Sequence, residues 1–191
     1  MKGKDRLAGQ VALVAGGGTG LGRDIALALA ARGVRVVVAG EGERALAETV
    51  GEIACGGGKA RHLVGDMRDQ GQLCAAMQSA ITIFGGLDVV VAGSVGTFEA
   101  AAHGMKGPGQ LLAILGNDGG PEPEWDGEES LGDLVRTLAP ELQARQILSH
   151  GVGPEPGHKL VELVLLLLAR PDVPTGLDLQ PRRLHSRFKS F

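Results

Sequence analysis

Short uninterrupted apolar runs alternate with segments whose apolar residues recur every three or four positions along the first half of this 191-residue chain. Val11 to Ala15 has the length of a buried strand. In Arg23 to Arg32, Ile25, Ala26, Leu29 and Ala30 fall at helical spacing, and Gly33 suits a helix C-terminus. Val34 to Ala39 is β-branched and unbroken, as expected of a strand covered on both faces. A helix follows around Glu43 to Cys55 (Leu46, Val50, Ile53), then a "GGGK" corner and a strand at Ala60 to Val64 that ends in Gly65-Asp66. Gln70 to Phe84 places Leu73, Met77, Ile81 and Phe84 on one helical stripe, and "LDVVVAG" reads as a fourth strand. Strands and helices in strict alternation predict βαβ units and a parallel sheet.

The second half is less regular. Ser94 to Gln110 is small and glycine-rich, and no element is assigned to it. Leu111 to Leu115 reads as a fifth strand, and Asn117 to Gly127 as a polar loop. Glu129 to Leu142 carries Leu131, Leu134, Val135, Leu138 and Leu142 at helical spacing. Ile147 to Val152 suits a sixth strand, Lys159 to Ala169 a buried helix, and Leu177 to Leu179 a last short strand. The fold class expected is α/β: a three-layer, doubly wound, mostly parallel sheet of Rossmann type, reduced in its second half. One dinucleotide-binding domain over residues 1–180 is expected, with a basic tail over 181–191.

Composition narrows the possible functions. A hydrophobic fraction of 43% and a charged fraction of 21% are those of a globular protein, and a net charge of -3 gives no reason to expect nucleic acid as a partner. Cys55 and Cys74 have neither CxxC spacing nor a matching histidine pattern, so no disulfide framework and no metal site are expected. The longest apolar run, Leu160 to Ala169, contains Glu162 and is half the length of a membrane-crossing helix, which needs about 20 residues. The N-terminal "MKGKDRLAGQ" lacks an apolar signal core. A cytoplasmic protein with no membrane partner is the expectation.

The candidate chemistry lies in "VAGGGTGLG", Val14 to Gly22. A strand that ends in glycines and opens into a helix brings backbone N–H groups and the positive end of the helix dipole against an anion, and pyrophosphate is the natural guest. The spacing is Gly16-x-x-x-Gly20-x-Gly22; a GxGxxG reading fails because Arg23 takes the last glycine's place. A purely structural turn is the alternative. With these residues the stretch "LAGQVALVAGGGTGLGRDIALALAARGVRVVVAG" resembles the opening of the short-chain dehydrogenases/reductases, with Ala15 where threonine is usual. The likeness runs from Leu7 to Val91 and more weakly from Leu131 to Leu179.

The resemblance implies a dinucleotide site formed by Gly16, Gly18, Thr19, Gly20, Leu21, Gly22, Glu41, Asp66, Met67 and Ala92. "GDM" would put Asp66 and Met67 beside the adenine. Gly40 stands where NAD-preferring members often have Asp, and Glu41 where NADP-preferring members often have Arg. A carboxylate there would repel a 2′-phosphate and accept from a ribose hydroxyl, which favours NAD(H) over NADP(H). Glu41 as a solvated loop residue remains the other reading.

The family's catalytic half does not carry over. Its acid/base is the tyrosine of a Tyr-x-x-x-Lys pair, with a serine and usually an asparagine, and this chain has no tyrosine. Counting back from "LVRTLAPEL" places Glu124 at the tyrosine position and Glu128 at the lysine position. Asn117 or Asp118 falls near the serine, and "VAGS" or "AGSV" replaces the asparagine segment. Sixteen residues between Gly93 and Gln110 are too few for the family's long interface helix, and the loop that covers substrate is shortened between Pro154 and Leu160. Weak catalytic candidates are Asn117, Glu124, Glu128 and His150. His103, read as a loop residue, is a proton carrier by type alone, and Trp125 reads as a packing anchor.

Three functions remain open. The first is an NAD(H)-binding or regulatory subunit without the standard oxidoreductase activity. The second is an enzyme with a non-standard acid/base, or a lyase or cyclase on the same scaffold. The third is a structural partner of a complete family member, docking through apolar surface left bare by the missing helix. A homo- or hetero-oligomer is compatible with each.

Overall fold

The structure is a computed structural model that describes residues 6–114, 131–152, 157–169 and 177–179. Strand β1 (Val11–Ala15) leads through the glycine loop into α1 (Gly20–Ala31), followed by β2 (Arg35–Gly40), α2 (Glu43–Cys55), β3 (Lys59–Val64) and α3 (Gln70–Phe84). Then come β4 (Val89–Ala92), α4 (Val95–Gly104), β5 (Gly109–Ile114), α5 (Leu131–Ala144), β6 (Ile147–Val152), α6 (Gly157–Leu168) and β7 (Leu177–Leu179). The strands form one sheet in the order β3-β2-β1-β4-β5-β6-β7, and every pairing is parallel. Chain order reverses where β1 meets β4, so the helices after β1 and β4 fall on opposite faces.

Alternation along the strands builds two cores. From β1, Val11, Leu13 and Ala15 join Leu73, Met77, Phe98, Val135 and Leu142 under α3, α4 and α5. Ala12 and Val14 turn the other way, to Ile25, Leu29, Leu46, Ile53, Val164 and Leu168 under α1, α2 and α6. A fully buried Leu or Ile contributes about 1.5–3 kcal/mol. Leu21, Ile25 and Leu29 therefore hold α1 in place although Thr19 makes no side-chain cap bond. At the opposite, N-terminal edge of the sheet, Arg35 donates to the carbonyls of Phe84 and Gly9 at 2.6 Å each, and the Asp88 carboxylate accepts from Val11 N at 2.8 Å.

Between Gly93 and Gln110, to which the sequence pattern assigned no element, the chain forms the ten-residue α4. Ser94 caps it, accepting from Thr97 N at 3.3 Å, and Phe98 anchors it with no exposed surface. Because α4 packs on β4, β5 and α3, the fifth-strand region is covered, and Gln110 to Ile114 are all buried. His103, read as a loop residue, sits in the last turn of α4 and donates Nδ1–H to the carbonyl of Glu99. Helix α1 begins three residues earlier than periodicity suggested, because Gly20 and Gly22 flank Leu21 in its first turn and hide that turn's single apolar position. Strand β5 begins at Gly109, where the pairing with Ile147 of β6 starts.

His150 lies in β6 on the same side of the sheet as Val152, under α6. It is 1% exposed, and among the described residues neither ring nitrogen has a hydrogen-bond partner. Burial alone pushes its pKa down from 6.5 to about 4. The unfolded chain therefore takes up a proton that the folded chain refuses between those values. Stability is complete above about pH 6.5 and is lost as pH falls toward 4, by about 3 kcal/mol in total. Urea unfolding across that range should record this loss, and His150→Leu should flatten it; an unchanged profile in the variant would assign the acid sensitivity elsewhere.

A second expectation concerns the join of β1 and α1. A Cβ on Gly22 would stand 2.3 Å from the carbonyl oxygen of Gly16, a backbone atom that cannot rotate away. Gly22→Ala should lower the unfolding free energy by at least about 2 kcal/mol, read as a lower urea midpoint with unchanged slope.

Candidate functional site

A cleft of about 570 Å³ opens at the C-terminal ends of β1, β2 and β4, where the strand order reverses. Its floor is the glycine loop. Gly16 N is held to the carbonyl of Ala39 at 2.8 Å, which fastens the loop to the end of β2. Gly20 has φ +51°, with open space where a Cβ would stand. The close approach of Gly22 to Gly16 then aims the first turn of α1 into the cleft. Amides in a first turn have no carbonyl one turn earlier to bond. Those of Gly20, Leu21 and Gly22 are the donors nearest the cleft, and Thr19 lines it without capping them.

Of the residues singled out from the sequence, Gly16, Thr19, Gly20, Leu21, Gly22, Glu41, Asp66 and Met67 line this one cleft. Two others stand off it. Gly18 faces α2, where a Cβ would meet Ala45 Cβ at 3.3 Å. Ala92 is wholly buried in the core under α4, and its neighbours Val91 and Gly93 form the wall instead. Arg23, which breaks the GxGxxG spacing, turns away and clasps Glu52 of α2 at 2.6 Å through both carboxylate oxygens.

The wall at the end of β3 is charged. Asp66 accepts from Arg68 N at 2.9 Å and from Arg68 Nε at 3.0 Å. Those side-chain and backbone hydrogen bonds hold its carboxyl below the usual carboxylate range, and in return Asp66 and then Glu41 raise the Arg68 guanidinium above its ordinary value. Arg68 also reaches Glu41 at 3.1 Å. Opposite, the N-terminus of α4 presents Ser94 and Thr97, whose hydroxyls lie 2.8 Å apart. Thr97 Oγ1 donates to the carbonyl of Met67 at 3.1 Å, tying α4 to the loop after β3.

Arg68, Ser94 and Thr97 were not singled out from the sequence. "SxxT" ahead of Phe98 is capping-box spacing, and it was hidden by the small residues around it. "DxR" after a strand is an Asx-turn signal. His150 lies within the sheet under α6 rather than in the cleft, so it is not available to a ligand there. Asn117, Asp118, Glu124, Trp125 and Glu128 lie outside the described residues, as do Pro154 and the basic tail. A second groove of about 560 Å³ lies between α3 and the turn after α4, away from the loop between β1 and α1. Among the described residues there is no cluster of metal-ligating side chains and no helix long and apolar enough to cross a membrane.

Comparison with known proteins agrees with this geometry. The chain is 32% identical over 114 residues to a peroxisomal 2,4-dienoyl-CoA reductase of Arabidopsis thaliana, a match covering 60% of this chain and 38% of the relative. Among solved structures, a hydroxysteroid dehydrogenase from Escherichia coli superposes with a TM-score of 0.77 at 23% identity, over 92% of this chain and 96% of that one. A 7α-hydroxysteroid dehydrogenase solved with NADH and 7-oxo glycochenodeoxycholic acid gives 0.76 at 22% identity, over 92% and 94%. These likenesses establish the fold. The family model for short chain dehydrogenase matches residues 10–106, just over half of the chain and all of the cleft except the tip of β5, so the protein belongs to the short-chain dehydrogenase family.

Proposed function

We propose that this protein binds a nicotinamide dinucleotide in the cleft at the β1/β4 reversal, favours NAD(H), and acts through that binding without the family's tyrosine-based hydride chemistry. The observation that carries the reading is the glycine cradle. Open space at Gly16 and Gly20, beside first-turn amides with no capping side chain, suits the pyrophosphate of a dinucleotide. An anion at a helix N-terminus gains typically 0.3–1 kcal/mol, and up to about 2 when partly buried.

In this reading Gly20, Leu21 and Gly22 hold the pyrophosphate, Met67 and Asp66 flank the adenine, and Glu41 meets the adenosine ribose. The cofactor, when bound, supplies or accepts a hydride. The chain's own contribution to a reaction would be a proton at the substrate oxygen. The family's phenol is absent, since the chain has no tyrosine, and His150, the sequence candidate within the described residues, is buried in the sheet and uncharged near neutral pH. Ser94 and Thr97 stand in the cleft, but their hydroxyls are bonded to each other, and an alkyl hydroxyl is a poor acid without an adjacent base. The free thiols of Cys55 and Cys74 fit a reducing compartment, and a cytoplasmic location belongs to the same proposal.

Calorimetric titration tests the binding. NADH should bind the wild-type protein, and Gly20→Asn should weaken it by more than about tenfold. Asparagine tolerates the left-handed backbone that position requires, so the variant fills the cradle while its circular dichroism spectrum stays that of the wild type. Equal affinity in a folded variant would remove the cradle from the site. With NADH bound, a panel of ketones and aldehydes should cause no protein-dependent loss of NADH absorbance; protein-dependent turnover would end the non-catalytic part of the proposal.

A further inference from the structure

We infer that Arg68 is the residue through which the cleft discriminates between the two dinucleotides, and that Glu41 keeps it from accepting a 2′-phosphate. The inference rests on the dinucleotide reading above and adds to it a residue from the third-strand loop. Glu41 follows β2 and stands nineteen residues after Gly22, the place from which an acidic side chain reaches a ribose 2′-hydroxyl in this architecture. Arg68 comes from the far side, between β3 and α3, and spans the gap. Its Nη2 donates to Glu41 Oε1 at 3.1 Å and to Asp66 Oδ2 at 3.3 Å, while Nε donates to Asp66 Oδ1 at 3.0 Å. Arg44, three residues after Glu41, is turned instead to Glu48 on its own helix at 2.9 Å.

Charge decides the preference. Two carboxylates against one guanidinium leave this end of the cleft at -1, with Nε and Nη2 of the cation already engaged. A ribose hydroxyl needs only an acceptor, which Glu41 supplies. A phosphate needs donors and meets net repulsion. The side chains of Arg68, Glu41 and Asp66 are 70%, 67% and 36% exposed, and ion pairs so open to water are held weakly. Arg68 can therefore exchange partners without disturbing the fold. Once Glu41 is neutral, the cluster carries no net charge, and the fork of Arg68 donors on the Glu41 side becomes free for the bidentate contact that guanidinium makes with phosphate.

The test is titration of wild type, Glu41→Gln, Arg68→Gln and the double variant with NADH and NADPH, and with 5′-AMP and 2′,5′-ADP as fragments that carry the difference alone. Wild type should prefer NADH. Glu41→Gln should gain NADPH and 2′,5′-ADP affinity on the order of tenfold, and the double variant should lose that gain. Wild type binding NADH while Glu41→Gln gains nothing for NADPH, or a gain that persists in the double variant, would overturn the role of Arg68 and leave the dinucleotide reading standing. Wild type binding neither nucleotide would overturn both.

Discussion

The contact on which the rest of the site depends is the one between Gly22 and the carbonyl of Gly16, where a Cβ would come within 2.3 Å of the oxygen. It lets α1 start directly over the end of β1. Moved outward by even a methyl group, the helix would lose both its seat on Val38, Leu46 and Ala12 and the aim of its first turn. The same approach explains why neighbouring positions are small for different reasons. Gly17 must be small because a Cβ would strike Val38 Cγ1 at 2.8 Å, whereas Gly16 and Gly20 face open space and keep it open. Packing and the cleft thus draw on neighbouring glycines of one loop and meet at Gly22, which packs against Gly16 and also lines the cleft.

The binding energy expected of this cleft comes in two unequal parts. Backbone amides and the dipole of α1 are fixed by the fold, lie between packed elements, and need no side-chain ordering. The cluster of Glu41, Asp66 and Arg68 is open to water, and exposed ion pairs contribute between nothing and about 1 kcal/mol. The first part can hold a pyrophosphate whatever its owner, and the second can only choose among owners. Specificity on such a frame is therefore cheap to alter, while substitution in the glycine loop threatens both the fold and the site.

The same division explains what the sequence made legible. Buried parallel strands are largely apolar, so β1 and β2 could be read to within a residue; β6, despite Ser149 and His150, and β7, only three residues long, matched at both ends. The glycine loop was readable because steric necessity leaves no choice of residue. Helix α4 was missed because its information is not in periodicity: "VGTFEAAAHG" has one large apolar side chain, and the helix is specified by the Ser94 cap and the single anchor Phe98. Arg68 was missed for a related reason. Its partners Glu41 and Asp66 lie at the ends of two strands, and their nearness follows from the β2–β3 register, in which Gly40 pairs with Val64. Ala92 was misplaced by one position because pleating sends alternate residues to opposite faces, so its neighbours rather than it reach the cleft wall.

The second half of the sheet can be understood without a catalytic duty. Val89, Val90 and Val91 of β4 are buried to 1% or less, and β4 supplies one side of the reversal at which the cleft opens. Without β5 beside it, β4 would be a hydrophobic edge strand with unpaired amides and carbonyls, prone to pair with other chains. β5 is as apolar as β4 and needs β6 for the same reason, and β6 is followed in turn by the short β7. Helices α5 and α6 then close the two faces over these strands. A dinucleotide cleft made by β1, β2 and β4 therefore requires the outer strands simply to be folded and dry. That requirement is independent of which residue, if any, moves a proton, so the whole sheet follows from the demands of the cleft alone.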